Sequence, residues 1–144
     1  MTSTADRELP EVDVTPLERA SGQLDKAVAA WQQNPSDEFI RDAVIQRFEF
    51  TYELSIKMLR RYLKSIAASD TEVDELTFRD LIRRAGDLHL LHGDLQDWLR
   101  FRQARTDTVH TYNETRAAEV AAASTHFASE AQTLLGALKA RTRP

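Results

Sequence analysis

The chain has 144 residues, no cysteine, 29% charged residues and a formal net charge of −4. That length fits one domain with a full hydrophobic core, and the missing thiols exclude disulfides, cysteine nucleophiles and thiolate metal sites. The acidic balance argues against a protein that grips nucleic acid with its whole surface, but it leaves room for a local basic site.

No run approaches the roughly 18 apolar residues that a membrane span needs. The first residues lack the pattern of a signal peptide, so the cytoplasm is the expected location. Four glycines and four prolines among many Ala, Leu, Arg, Gln and Glu residues predict helices and no sheet. Residues 1–14 show no apolar period and read as a flexible N-terminal tail. A helical domain is expected over 15–140. Thr15-Pro16-Leu17-Glu18 has the form of a capping box, opening a helix that runs to about Gln33 and buries Leu17, Leu24, Val28 and Trp31. Asn34-Pro35 breaks it. Ser36 is the expected cap of a long second helix reaching about Ala68. Its two apolar stripes (Ile40, Ala43, Phe50, Leu54 and Phe48, Tyr52, Leu59, Leu63, Ile66) mark a central helix packed on more than one side.

Ser69 to Leu76 reads as an acidic loop. A short helix restarts at Thr77 with Phe78, Leu81 and Ile82 inward, and Gly86 ends or kinks it. His89 to Gly93 is a turn. Asp94 caps a further helix that points Leu95, Trp98, Leu99 and Phe101 inward. The β-branched cluster Thr106, Thr108, Val109 and Thr111 disfavours continuation, so a break is expected near 107–110. Thr111-Tyr-Asn-Glu114 resembles a capping box for a last helix from about Tyr112 to Lys139, with Val120, Phe127, Ala131, Leu134 or Leu135, and Leu138 inward. Residues 141–144 are expected to fray. The whole predicts an all-α fold, an antiparallel up-and-down bundle of four to five helices.

The break is where chemistry gathers. Arg105 falls in the last turn before it and His110 just ahead of the next helix, whose free N–H groups favour an anion. Arginine brings a planar, permanently charged fork suited to phosphate. Histidine is the side chain that titrates near neutrality. Tyr112 adds a hydroxyl and a flat face. Together they suit phosphodiester or nucleotide chemistry. The bland alternative is an arginine paired with an acid and a histidine serving as a polar cap. Arg100, Arg102 and Arg105 place cations near the break, which also suits a helix C-terminus. His89 and His92 are three apart at a turn without further ligands and read as surface residues, as does His126. Trp31 and Trp98 read as core.

The stretch Arg105-Thr-Asp-Thr-Val-His110-Thr-Tyr112-Asn113-Glu114 resembles the Arg-x4-6-His-x-Tyr motif of the HEPN superfamily. More narrowly, it resembles the nucleotidyltransferase substrate-binding and HepT-like toxin branch. Gln46 to Leu59, with Glu49 and Glu53, resembles the central helix of that branch, and the likeness spans roughly Leu24 to Leu138. Thr106 stands where the branch usually has asparagine; Gln103 or Asn113 are candidates to supply that amide. Glu49 and Glu53 either line the site or pair with Arg47 and Lys57 at helical spacing.

The resemblance implies a metal-independent endoribonuclease, the toxin of a toxin–antitoxin pair. In that reading Arg105 and His110 are catalytic, Arg102, Thr106, Asn113, Glu49 and Glu53 contact substrate or nucleotide, and no cofactor is required. A minimal nucleotidyltransferase encoded nearby would act as antitoxin by adding AMP to Tyr112. RNA is the implied substrate. The alternative class is a non-catalytic substrate-binding subunit of that nucleotidyltransferase, which the Thr106 departure favours; a structural dimer with a vestigial site is the third. In an unbroken helix Arg105 and His110 would lie about 140° apart. They share a face only if the helix breaks or a second chain completes the site, and the resemblance implies a homodimer with a shared cleft. Phe101 and the small residues of the last helix are the expected packing surfaces.

Overall fold

The computed structural model describes residues 9–144. Residues 1–8 of the expected tail lie outside it. Helix α1 spans Thr15–Gln33. Thr15 is its first helical residue and not its cap. The Asp13 carboxylate accepts from the Thr15 N–H at 3.0 Å instead, and Pro16 sits in the first turn where no partner for its nitrogen is needed. Helix α2 spans Glu38–Ile66. Its cap is Asp37, one residue later than the expected Ser36. The Asp37 carboxylate accepts from the N–H groups of Phe39 at 2.9 Å and Ile40 at 3.1 Å, and its charge also faces the positive helix end.

The expected acidic loop contains a one-turn helix, α3 (Asp70–Asp74). Ser69 caps it and Val73 is buried. Helix α4 spans Phe78–Asp87, with the Thr77 hydroxyl accepting from the Asp80 N–H at 3.2 Å. Gly86 stays helical. The chain reverses further on, at His89, whose φ of 58° is left-handed. The guanidinium of Arg141 donates to the Leu88 and His89 carbonyls and secures that reversal. Helix α5 spans Leu95–Asp107 behind a reciprocal Asp94–Asp97 capping box. A single 3-10 turn, Thr108–His110, fills the expected break. Helix α6, Glu114–Arg141, begins two residues after the expected start. Asn113 caps it, accepting from the Arg116 N–H at 3.2 Å, so Thr111 is not the cap.

Side-chain contacts fix the order of the four long helices. Thr51 donates to the Ala20 carbonyl and Arg47 to that of Gln23, so α1 and α2 run antiparallel. Arg105 reaches Glu53 and Trp98 lies against Tyr52, which lays α5 alongside α2. Trp98 meets Glu130 and Arg116 meets Asp107, which sets α6 antiparallel to α5. Gln132 bonds Asp25 and Lys139 bonds Glu18, closing α6 against α1. The result is the up-and-down bundle expected, with α3 and α4 as short additions. Its core is an aromatic cluster of Phe48, Tyr52, Trp98, Phe101 and Phe127, in which Phe127 meets Trp98 edge-on at 5.6 Å and Phe101 at 5.0 Å.

Several burial expectations are corrected. Phe101 is fully buried among those rings and offers no dimer surface. Phe50 is 58% exposed beside Gln23 and Arg47, because α2 turns that side outward between its contacts with α1 and α6. Ile66 is exposed too, and Trp31 is half-buried. The ends of the chain are tied together. Arg143 N–H donates to the Pro10 carbonyl at 2.9 Å, Val12 N–H donates to Arg143 at 3.1 Å, and Val12 is buried. The expected fraying of 141–144 is therefore replaced by a short parallel bridge, and residues 9–14 pack onto the domain. Among the described residues no helix is long and apolar enough to cross a membrane.

Candidate active site at the helix break

A 3-10 turn interrupts the helix between Arg105 and His110. Asp107 ends α5, the chain tightens for one turn, and His110 emerges on the surface three residues before the Asn113 cap. The His110 carbonyl accepts from the Asn113 N–H at 3.1 Å, which couples the turn to the start of α6. The His110 side chain is exposed, and its ring lies 6.0 Å from that of Tyr112 at 77°. Tyr112 is 83% exposed, so its hydroxyl is open to reagents.

Arg105 is held tightly. Its Nε donates to Glu53 Oε1 at 3.0 Å and its Nη2 to the same oxygen. Nη2 also lies 3.1 Å from Glu49. Nη1 donates to the Thr108 hydroxyl at 3.2 Å, which in turn donates to the Arg105 carbonyl at 2.8 Å. The hydrogen bond that Arg105 donates to the Glu53 carboxylate raises the guanidinium pKa above its ordinary value. Glu49 and Glu53 therefore face α5 and the break, and they pair with Arg105 and not with Arg47 or Lys57. Thr108 was missed by sequence reasoning. Its spacing of three residues from Arg105, at a helix end, was the available signal.

The remaining expected site residues divide. Asn113 is spent on capping. Thr106 is exposed and its hydroxyl donates back to the Arg102 carbonyl at 3.1 Å, as a mid-helix threonine does. Gln103 donates to Asp107 at 3.1 Å, and Asp107 also takes Arg116 at 3.0 Å. Neither amide considered in place of the missing asparagine stands free. Arg102, one turn before Arg105, reaches α4, with its guanidinium carbon 4.8 Å from the centre of the Phe78 ring. Behind it, burial pushes the Tyr52 hydroxyl up to about 12 while Arg102 and Arg105 pull the other way.

Two further groups escaped notice in the sequence. Arg41 on α2 pairs with Glu114 at 2.7 Å, and the guanidinium holds that carboxyl below its usual range. The pair borders the same hollow as Glu49, Thr108 and Tyr112. Glu130 on α6 is buried and accepts from the N–H groups of His92 at 3.0 Å and Gly93 at 2.9 Å and from the Trp98 indole at 3.1 Å. It anchors the turn before α5 and so sets where α5, and the break at its end, lie. His89, His92 and His126 are exposed, as expected.

Comparison with known proteins agrees with this architecture. Residues 12–140 match the family described as nucleotidyltransferase substrate binding protein like. A curated Haemophilus influenzae protein named "Probable ribonuclease HepT" is 37% identical over 99 residues, covering 69% of this chain and 67% of that protein. A solved Haemophilus influenzae structure, described as the fold of a substrate binding domain of a nucleotidyltransferase, superposes with a TM-score of 0.81 at 30% identity. It covers 88% of this chain and 99% of that one. The chain therefore belongs to the nucleotidyltransferase substrate binding protein like family, in the HepT-like branch to which its Arg105–Glu114 motif pointed.

Proposed function

We propose that this chain is a HepT-like ribonuclease toxin of the cytoplasm, paired with a minimal nucleotidyltransferase that silences it by adding AMP to Tyr112. The observation that carries the reading is the placement of an exposed His110 and an exposed Tyr112 at one helix break, with Arg105 clamped in the last turn of the helix before it. Cleavage on this account is transesterification. His110 takes the proton of a ribose 2′-hydroxyl, the 2′-oxygen attacks the adjacent phosphorus, and the bond to the 5′-oxygen breaks. The leaving oxygen takes a proton from a second imidazole or from water. The products are a 2′,3′-cyclic phosphate and a 5′-hydroxyl. No metal enters the step. A homodimer supplies the second imidazole, and the partner copy faces the break.

The name of the ribonuclease relative supports this reading. AMP on Tyr112 puts a negative phosphodiester and a bulky nucleoside beside His110, which blocks substrate sterically and electrostatically. Intact-mass measurement after co-expression with the partner tests the switch. It should show one or more AMP additions that Tyr112→Phe abolishes. Neutralised toxicity at unchanged mass overturns it.

One set of contacts favours the second reading, a non-catalytic substrate-binding subunit. Arg105 is engaged by Glu49 and Glu53, and Thr106 replaces an amide with a hydroxyl turned onto its own helix. A chain that arrests growth on expression, and loses that effect with His110→Ala, supports the nuclease over the subunit.

A further inference from the structure

The arginines around the break differ in what already occupies them. Arg100 pairs with Asp97 at 3.0 Å. Arg105 is bound by Glu49, Glu53 and Thr108. Arg116 pairs with Asp107 and Arg41 with Glu114. Arg102 is exposed and has no carboxylate within 4.0 Å among the described residues. It sits one turn from Arg105 on the same helix, and its guanidinium lies over the half-buried Phe78 ring at 4.8 Å.

The ring matters in two ways. It seats the guanidinium without using its N–H groups, which stay free for a phosphate oxygen. Arg102 also stays exposed over the ring, where a nucleobase can stack without regard to sequence. A phosphate bound by Arg105 must first displace a carboxylate, whereas one bound by Arg102 displaces only water.

We infer that Arg102, laid on Phe78, is the subsite for a nucleotide flanking the scissile bond of single-stranded RNA. The inference rests on the ribonuclease reading for its substrate, but its test does not depend on cleavage.

The probe is a fluorescent 2′-O-methyl oligonucleotide, which binds but cannot transesterify. Its affinity for the full chain is measured by anisotropy across a salt series. Arg102→Gln should weaken binding roughly tenfold and lower the salt slope by about one phosphate contact. Phe78→Leu keeps an apolar filler and should weaken binding about threefold at an unchanged slope, through loss of the stacking platform. Arg100→Gln, on the same helix but paired, should change neither. Binding that Arg102→Gln leaves at the wild-type level, an equal loss in Arg100→Gln, or no binding by the wild type each overturns the subsite. Binding through Arg102 by a chain that cleaves no RNA upholds it while sinking the nuclease reading. Cleavage that is indifferent to Arg102 does the reverse.

Discussion

Arg105, in the last turn of α5, donates through two of its nitrogens to Glu53 in the middle of α2, and through the third to Thr108 in the turn that carries His110. One side chain thus ties a helix end, a neighbouring helix and the start of the break. Glu53→Gln keeps an acceptor but removes the charge. Both partners are partly exposed, so the global cost should be about 0.5–1 kcal/mol in urea unfolding. The local effect should be larger: amide exchange at Thr108 to His110 should accelerate well beyond that of the α2 core. Equal acceleration throughout would show that the contact does nothing special for the break.

Glu130 makes a stronger demand on stability. It is buried under three donors, two from the backbone and one from Trp98. Glu130→Ala strands all three and should cost about 3–5 kcal/mol. Glu130→Gln retains one acceptor oxygen and should cost less. The expected ranking is wild type above Gln above Ala in denaturant midpoint.

Alkaline pH should weaken the fold through Tyr52. Its hydroxyl lies at about 12 in the folded chain, above its ordinary value of 10.0, because burial disfavours the phenolate. The folded state holds the proton more tightly, so this contribution is complete below pH 10 and is lost as pH rises through 12. Tyr52→Phe should flatten the fall of thermal midpoint between those values. An unchanged slope contradicts the assignment.

Thr106→Asn restores the amide usual in the branch. Thr106 is exposed and bonds only its own helix, so stability should move by less than about 0.5 kcal/mol. RNA cleavage should rise severalfold if the amide helps orient the site. A neutral result in cleavage shows that the threonine suffices.

Periodicity made the bundle readable because long amphipathic helices declare their buried faces. Leu17, Leu24, Phe48, Leu63 and Phe127 all lie inside as their spacing required. Misplacements came where tertiary contact decides between similar local choices. Ser36 and Asp37 are both good caps, and only the path of the chain selects the carboxylate. Gly86 carries a stop signal, but α4 continues past it and the reversal falls to His89 with Arg141 behind it. Phe50 fits a helical stripe as well as Phe48 does, yet no helix packs over it. The motif located the site, while the Glu49–Glu53–Arg105 clamp needed α2 and α5 brought together across 52 residues of sequence. Arg102 on Phe78 is likewise a contact between two helices that no local spacing announces.

The central claim is that His110 carries out metal-independent RNA cleavage. Its most direct test is digestion of RNA by the purified chain in excess chelator, with end-group analysis, for wild type and His110→Ala. The account predicts cleavage by the wild type that leaves 2′,3′-cyclic phosphate and 5′-hydroxyl ends, and a drop of about 10²-fold or more in the variant with its helical content intact. Cleavage that vanishes with the chelator, or that survives His110→Ala at the wild-type rate, would contradict it.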